Sequence, residues 1–422
     1  MTETNLETEL IESVLDVEAL KGGAGRVLDD AVGLRRAIHR QPELGLDLPK
    51  TQQSVIQALG GLDLDVRTGQ GLSSVVADLD TGSPGPTVLL RGDMDALPMP
   101  EDTGLEFSSE VDGRMHACGH DAHTSMLVGA ARVLHDRRAE LRGRVRFMFQ
   151  PGEEGAGGAP IMIDEGVLDG VDAAFALHVA PNLAAGSLAL RAGPMLAATD
   201  DFVIRISGRG GHASTPQWAT DPIPVAAEVV IALQTMITRT LDVFNPAVLT
   251  VGRLTAGTTE NVIPESAEMA GTLRTVDEAV RTRTRDRIAT VAEGIAAAHG
   301  CTATVEITEG YPVTVNDADL AEFVGTVARV LLGGRMVFDM PAPVMGAEDF
   351  SYVGQRVPAV MAFLGVCPPS NPDPFAAPAC HSNRMVLHEE SMATGIALHA
   401  AIATALLEGG LNTLCIGTDR LG

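Results

Sequence analysis

Cysteine, basic residues and long apolar runs are all scarce in this 422-residue chain. Five cysteines are too few for a disulfide framework, and an odd number cannot pair completely. A reducing cytoplasm is therefore the expected compartment, with any special cysteine a ligand or nucleophile. Lys and Arg number 30 against 55 Asp and Glu, a formal charge of −25. A surface that negative repels phosphate backbones and anionic lipid, so neither nucleic acid nor membrane is an expected partner. An anionic substrate would need local arginines to overcome that field. No apolar run approaches the ~20 residues of a membrane span. The longest, Ala393 to Leu407, is interrupted by Thr394, Gly395, His399 and Thr404 and reads as a buried helix. The acidic N-terminus lacks the basic and continuous apolar segments of a secretory signal, so none is expected.

What is present is a globular composition, 45% hydrophobic and 20% charged. A single core stops growing near roughly 250–300 residues, so two domains are expected. The first part alternates strand and helix signals. Pro86 to Gly92, Arg144 to Phe149 and Val171 to Leu177 are short apolar runs of the kind buried on both faces of a sheet. Helical stretches, Ala122 to His135 and Ala159 to Glu165, lie between them. This predicts an α/β fold with a mostly parallel sheet and helices on both faces. In such sheets ligands bind beyond the carboxyl ends of the strands, where Asp93, Asp95, Glu153, Glu154 and His178 fall.

The middle of the chain changes order. Strands at Phe202–Ser207, Ala247–Leu254, Ala267–Leu273 and Thr302–Ile307 surround helices at Pro222–Thr240 and Thr275–His299. The second helix is expected to open with a Thr275/Glu278 capping box. That βαββαβ order is the ferredoxin-like unit, here an inserted second domain. The domain reading is a catalytic domain over 1–197 and 309–422, with the insertion at 198–308.

Three His, one Cys and one Asp fall within Met115-His-Ala-Cys-Gly-His-Asp-Ala-His123. Cys118 and His120 are separated by one glycine, which lets both turn toward one point. A helix opening there would favour the thiolate. A zincin helix would need Glu after His116, and Ala117 stands there. A buried or redox cysteine is the plain alternative. Gln150-Pro-Gly-Glu-Glu-Gly155 sets two carboxylates side by side after a strand. A cation shared by one of them would leave the other as a base; an exposed acidic turn is the plain alternative. Taken together, Cys118, His120, Glu154, His178 and His381 are five ligand-type groups at one predicted sheet edge. That is more than one tetrahedral zinc needs, and it suits two metal ions.

These motifs carry a resemblance over nearly the whole chain. Arg36-Ala-Ile-His-Arg-Gln-Pro-Glu-Leu44, Gly92-Asp-Met-Asp-Ala-Leu-Pro98, His116-Ala-Cys-Gly-His-Asp-Ala-His123, Gly152-Glu-Glu-Gly155, Gly208-Arg-Gly-Gly-His-Ala-Ser214, Asn261-Val-Ile-Pro264, Gly271-Thr-Leu-Arg274, Gly346-Ala-Glu-Asp-Phe-Ser351 and His381-Ser382 are its matching stretches. The chain resembles the metallopeptidase family of carboxypeptidase G and aminoacylase. Within it, the similarity is to the amidohydrolase branch, the hippurate hydrolases and auxin–amino-acid conjugate hydrolases.

The resemblance implies a zinc-peptidase-like catalytic domain with an inserted lid through which a homodimer forms. It implies metal ligation by Cys118, His120, Glu154, His178 and His381, with Cys118 bridging. Asp93 stands where the peptidase branches place a His ligand, and Asp95 would orient a ligand from behind. Glu153 is the implied general base. His212, Asn261 and Arg274 match residues that reach the reacting group and the substrate carboxylate, His212 across the dimer. Two divalent ions per subunit are implied, Zn²⁺ or Mn²⁺ with Co²⁺ or Ni²⁺ tolerated. The expected reaction is hydrolysis of an N-acyl amino acid amide by a metal-bridged water. A dipeptidase or carboxypeptidase of the same family, or a non-catalytic binder, are the alternatives. Trp218, the only Trp, is expected either to border the acyl pocket or to pack the lid. Cys301, Cys367, Cys380 and Cys415 read as ordinary reduced cysteines.

Overall fold

The structure is a computed structural model, and it describes residues 3–411. The chain divides into two compact units. The first comprises the described residues through Met195, Val315–Ala342 and those from Asp349 onward; the second comprises Leu196–Thr314 and Pro343–Glu348. Cys415 lies outside the described residues.

The first unit is built on an eight-stranded sheet. Its order is Asp65–Thr68, Val75–Asp80, Arg144–Gln150, Thr87–Asp93, Ala173–Ala184, Ala359–Cys367, Leu188–Leu190 and Val337–Asp339. The four central strands, Arg144–Gln150 through Ala359–Cys367, run parallel. Antiparallel pairing begins on either side of them, so the sheet is mixed. Six of the seven residues of Thr87–Asp93 are buried, which requires cover on both faces. Helices Val17–Arg40, His120–Asp136 and Ser391–Ala405 pack against one another and share one apolar core with the sheet.

Two helices, Pro222–Thr240 and Ser391–Gly410, are long and apolar enough to cross a membrane by length and composition. The latter is the core helix that the sequence reading anticipated. The former presents Val225, Val229, Leu233 and Met236 to the core of its own unit, at helical spacing.

Strand order reverses at Thr87–Asp93. The next long strand in the chain lies on one side of it and the following one on the other. Such a reversal opens a crevice beyond the strand's carboxyl end, where Asp93 and Asp95 stand. One detail differs from expectation. His178 does not end its strand, which runs on to Ala184 because it keeps pairing with Ala359–Cys367. Pairing with Thr87–Asp93 stops at Ala176, so His178 still lies beyond that neighbour's edge.

The second unit is a four-stranded antiparallel sheet ordered Ala247–Ala256, Ser266–Thr275, Ala198–Ser207, Thr302–Glu309. Alternate residues of Ala198–Ser207 are buried and the others are not, so one face is covered. Phe202, Ile204 and Ile206 meet Val229, Leu233, Ile288 and Ala292 from helices Pro222–Thr240 and Glu278–Ala298. Burying each of these larger side chains stabilises by roughly 1.5–3 kcal/mol. The second helix is not opened by a Thr275/Glu278 box. Thr275 is held extended as the last strand residue, opposite Ala198, and Asp277 caps the helix by accepting from Val280 N. A buried bidentate pair ties that helix to the sheet: Arg281 donates to both oxygens of Asp200, at 2.9 and 2.7 Å.

Candidate metal centre

Five of the residues singled out from sequence converge in the first unit. Gly119 makes this possible. It sits at φ 85°, and a Cβ there would lie 2.4 Å from Val179 Cγ2. Only glycine both turns the chain and clears that strand, so Cys118 and His120 face one point. The donor atoms of Cys118, His120 and His178 lie within 4.8 Å of one another, and so do those of Cys118, Glu154 and His381. Cys118 Sγ is 3.3 Å from His178 Nε2, and His381 Nε2 is 3.2 Å from Glu154 Oε1. Two three-donor groups therefore share one thiol. His120 Nε2 also lies 3.9 Å from a carboxylate oxygen of Glu153 and 3.9 Å from one of Glu154.

Asp95 organises this edge. It is 1% exposed. Its two oxygens accept from Glu153 N and Glu154 N, each at 3.0 Å, and Oδ1 lies 3.4 Å from His120 Nδ1. One side chain thus fixes the backbone of both glutamates and faces the imidazole. His381 is the only described non-glycine residue with positive φ, at 68°. Its N–H donates to Ala117 O at 2.8 Å, which anchors the strained turn beside Cys118.

The electrostatics draw positive charge to this point. Burial opposes a charge on His120, but Asp93, Asp95 and Glu154 outweigh it and raise the imidazole well above its ordinary value. Burial pushes Glu154 upward, yet the hydrogen bond and charge of His381 and the charge of His120 hold it below the usual carboxylate range. The Cys118 thiol is raised well above its ordinary value by its hydrogen bond with Cys380, by burial and by Glu154 and Glu153. This corrects the expectation that the helix start would favour the thiolate. The helix begins only at His120, and the Cys380 hydrogen bond and burial outweigh it. Positive charge beside the sulfur would reverse that balance. Burial holds His178 neutral, with a pKa of about 3. Its Nδ1 donates to Val179 O at 2.8 Å, which leaves Nε2 as the coordinating nitrogen. His120 Nε2 is buried without a hydrogen-bond partner. A thiol, three imidazoles and a carboxylate, with donor atoms left over, fit a pair of divalent cations.

Sequence reasoning missed the groups behind this edge. Cys380, read as an ordinary thiol, touches Cys118; its position just before His381 was the available signal. Asp121, next to His120, is clamped by Arg35 Nε at 3.0 Å and His39 Nδ1 at 2.8 Å. His39 Nε2 meets Glu101 at 3.2 Å, so both ring nitrogens face carboxylates. Burial would lower His39, but Asp121 and Glu101 hold it up at about 9.

The second unit holds the other candidates. His212 and Val262 are paired across a two-residue ribbon, and Ala213 N donates to Asn261 O at 3.1 Å. His212 and Asn261 are therefore close neighbours. His212 Nδ1 accepts from Ser214 N at 3.1 Å, so the ring presents Nε2–H outward. Beside them is a pocket of about 580 Å³ lined by Ala213, Pro216, Ile223, Thr258, Glu260 and Pro264 among others. Arg274 is on the main sheet of this unit and donates to Met345 O at 2.8 Å. Trp218 is 72% exposed in the single chain.

Residues 89–405 match the model of peptidase family M20/M25/M40. The chain belongs to that family. The M20 chain is 41% identical over 391 residues to "IAA-amino acid hydrolase ILR1-like 4" of Arabidopsis thaliana, covering 92% of this chain and 88% of that one. It is 38% identical over 391 residues to "Thermostable carboxypeptidase 1" of Saccharolobus solfataricus, covering 92% and 98%. Among solved structures it resembles the Bacillus subtilis YXEP protein, a dinuclear metal-binding peptidase of the same family. That match has a TM-score of 0.79 and 33% identity, and covers 91% of this chain and 99% of that one.

Proposed function

We infer that this M20 enzyme is a metal-dependent amidohydrolase that cleaves the amide bond of N-acyl amino acids. The observation that carries the reading is the pair of three-donor groups sharing Cys118, with Glu153 and Glu154 on one Asp95-held turn beside them. In this reading Cys118, His120 and His178 would hold one divalent cation, and Cys118, Glu154 and His381 would hold the other; Zn²⁺ or Mn²⁺ would suit such a mixed set. Two such ions would acidify a water and polarise an amide carbonyl.

The chain's own groups do the rest. Glu153 takes the proton of the attacking water and delivers it to the departing amine. Asp95 keeps that carboxylate in place through the Glu153 N–H. His212, with Nε2–H outward, donates to the developing oxyanion. Arg274 and Asn261 hold the free carboxylate of the amino acid, which answers the problem of an anion meeting an acidic surface. The second unit is the ferredoxin-like lid. It also forms the homodimer, which brings His212 to the site of the partner subunit.

The similarity to a carboxypeptidase supports a second reading, cleavage of true peptides, which needs the same free carboxylate. Turnover of hippurate, several N-acetyl amino acids and several dipeptides with added Mn²⁺ or Zn²⁺ separates them. Faster cleavage of the acyl amino acids is expected. Preference for dipeptides would favour the peptidase, and no turnover on either set would leave only a binding protein.

A further inference from the structure

His123 stands three residues after His120 on the same helix, and Asp93, His120 and His123 offer donors within 4.8 Å of one another. By distance alone this is one more metal triad. The hydrogen bonds of His123 argue otherwise. Val179 N donates to His123 Nε2 at 2.8 Å. A backbone amide can only donate, so this nitrogen carries no proton and its lone pair is engaged. The ring proton is therefore on Nδ1, which donates to Asp93 Oδ1 at 2.6 Å. Neither nitrogen is left to bind a cation.

Both ends of this chain of bonds are fixed. Asp93 Oδ2 accepts from Arg91, and Asp93 O accepts from Thr124 Oγ1 at 2.7 Å. Arg91 is 1% exposed. It also donates to Gln150 Oε1 at 2.9 Å and Asp349 Oδ1 at 3.1 Å, which ties it to the neighbouring strand end. At the other end is the peptide group of Val179. Its N–H goes to His123, and its carbonyl accepts from His178 Nδ1 at 2.8 Å. The His178 ring is thus set against a backbone unit that His123 holds.

We propose that Arg91, Asp93 and His123 form a positioning relay that fixes the orientation of His178, and that Asp93 serves orientation rather than ligation. The proposal rests on the two-cation reading above. The relay bears on His178 through the Val179 peptide, so its loss should loosen the Cys118–His120–His178 cation more than the Cys118–Glu154–His381 one.

The test is metal binding by the full-length protein, read without substrate. Co²⁺ titrations would follow the thiolate-to-cobalt absorption, and elemental analysis in metal buffers would count ions per subunit. His123→Ala should hold one ion about 10–100-fold more weakly, the usual effect of losing a group behind a metal ligand, and weaken the other less. His123→Gln, whose amide can donate to Asp93 and accept from Val179, should recover most of that loss. Asp93→Asn keeps His123 in place and should weaken the same ion more than the other, so it carries the test if His123→Ala does not fold. Unchanged binding of both ions would overturn the relay. So would equal weakening of both with a lower melting temperature, which is the mark of a packing role. A third ion in the wild type that is lost in His123→Ala would make His123 a ligand and also overturn it. A wild type that binds a single ion would sink the two-cation reading instead. The relay would then stand if His123→Ala shifts the cobalt spectrum and His123→Gln restores it, and fall if neither happens.

Discussion

Asp95→Asn is the smallest change that should disable the centre without opening a cavity. The wild-type carboxylate accepts two backbone amides, Glu153 N and Glu154 N, each at 3.0 Å, and is 1% exposed. Hydrogen bonds to a charged group contribute about 1.5–3 kcal/mol each. The asparagine amide keeps one acceptor. Its NH₂ group must then face the other backbone N–H, which leaves a buried donor unpaired at about 1–3 kcal/mol. The surviving bond becomes neutral and contributes about 0.5–1.5 kcal/mol. The loss is therefore roughly 2–4 kcal/mol, concentrated on the turn that carries Glu153 and Glu154. His120 also loses its negative neighbour at 3.4 Å. Metal affinity should fall about 10–100-fold, and kcat should stay low even when metal is saturating, because Glu153 is no longer held. Bound metal by elemental analysis and kcat at saturating metal would be measured together. Wild-type kcat and wild-type metal retention would refute the reasoning. Full rescue of kcat by excess metal would show that Asp95 serves only the ligands and not Glu153.

Further outcomes follow from other residues. Cys118→Ser should weaken both cations at once, because both donor groups use that thiol, and a chelator should abolish activity reversibly; weakening of a single ion would contradict the shared position. His39 has a folded pKa near 9, above its ordinary 6.5, so its contribution is complete below about pH 6.5 and is lost as pH rises through about 9. The difference is about 3 kcal/mol. Chemical denaturation at pH 7 and pH 10 should show a larger fall for wild type than for His39→Gln, and equal falls would remove His39 as the cause. Mixing inactive His212→Ala and Glu153→Gln subunits under exchanging conditions should restore part of the activity, since one mixed site has both groups intact. Confirmed exchange without recovery would place His212 outside the partner's site.

The parts of the fold that rest on periodicity were legible in the sequence. Pro222–Thr240 forms the helix expected there, with its apolar residues at helical spacing, and the buried character of the Ala393–Leu407 stretch follows from its small polar interruptions. The ends of elements were less so. Asp277 displaced Thr275 as cap because strand pairing claims Thr275, and pairing is a tertiary fact. His178 was placed at a strand end because the apolar run stops there, whereas hydrogen bonding to Ala359–Cys367 carries the strand further. The short return segment Pro343–Glu348 has no local signal for the unit it joins. At the site, residue types and strand-end positions were enough to gather Cys118, His120, Glu154, His178 and His381 in advance. Arg91, His39 and Asp121 were not singled out as a supporting layer, because their contacts join residues far apart in sequence: Arg91 with Asp349, and His39 with Asp121. Cys380 is free, as read, and its contact with Cys118 was hidden for the same reason.

Glu153→Gln tests the central claim most directly, that a metal-dependent amide hydrolysis runs through this carboxylate. Gln nearly preserves shape and leaves the backbone bond to Asp95 intact, since Asp95 holds Glu153 through its N–H. Losing a general base typically costs ~10²–10⁴-fold in rate. The measurement is kcat on the best N-acyl amino acid together with metal content of the same sample. Full metal occupancy with kcat reduced at least about a hundredfold is the predicted result; full occupancy with wild-type kcat would contradict it.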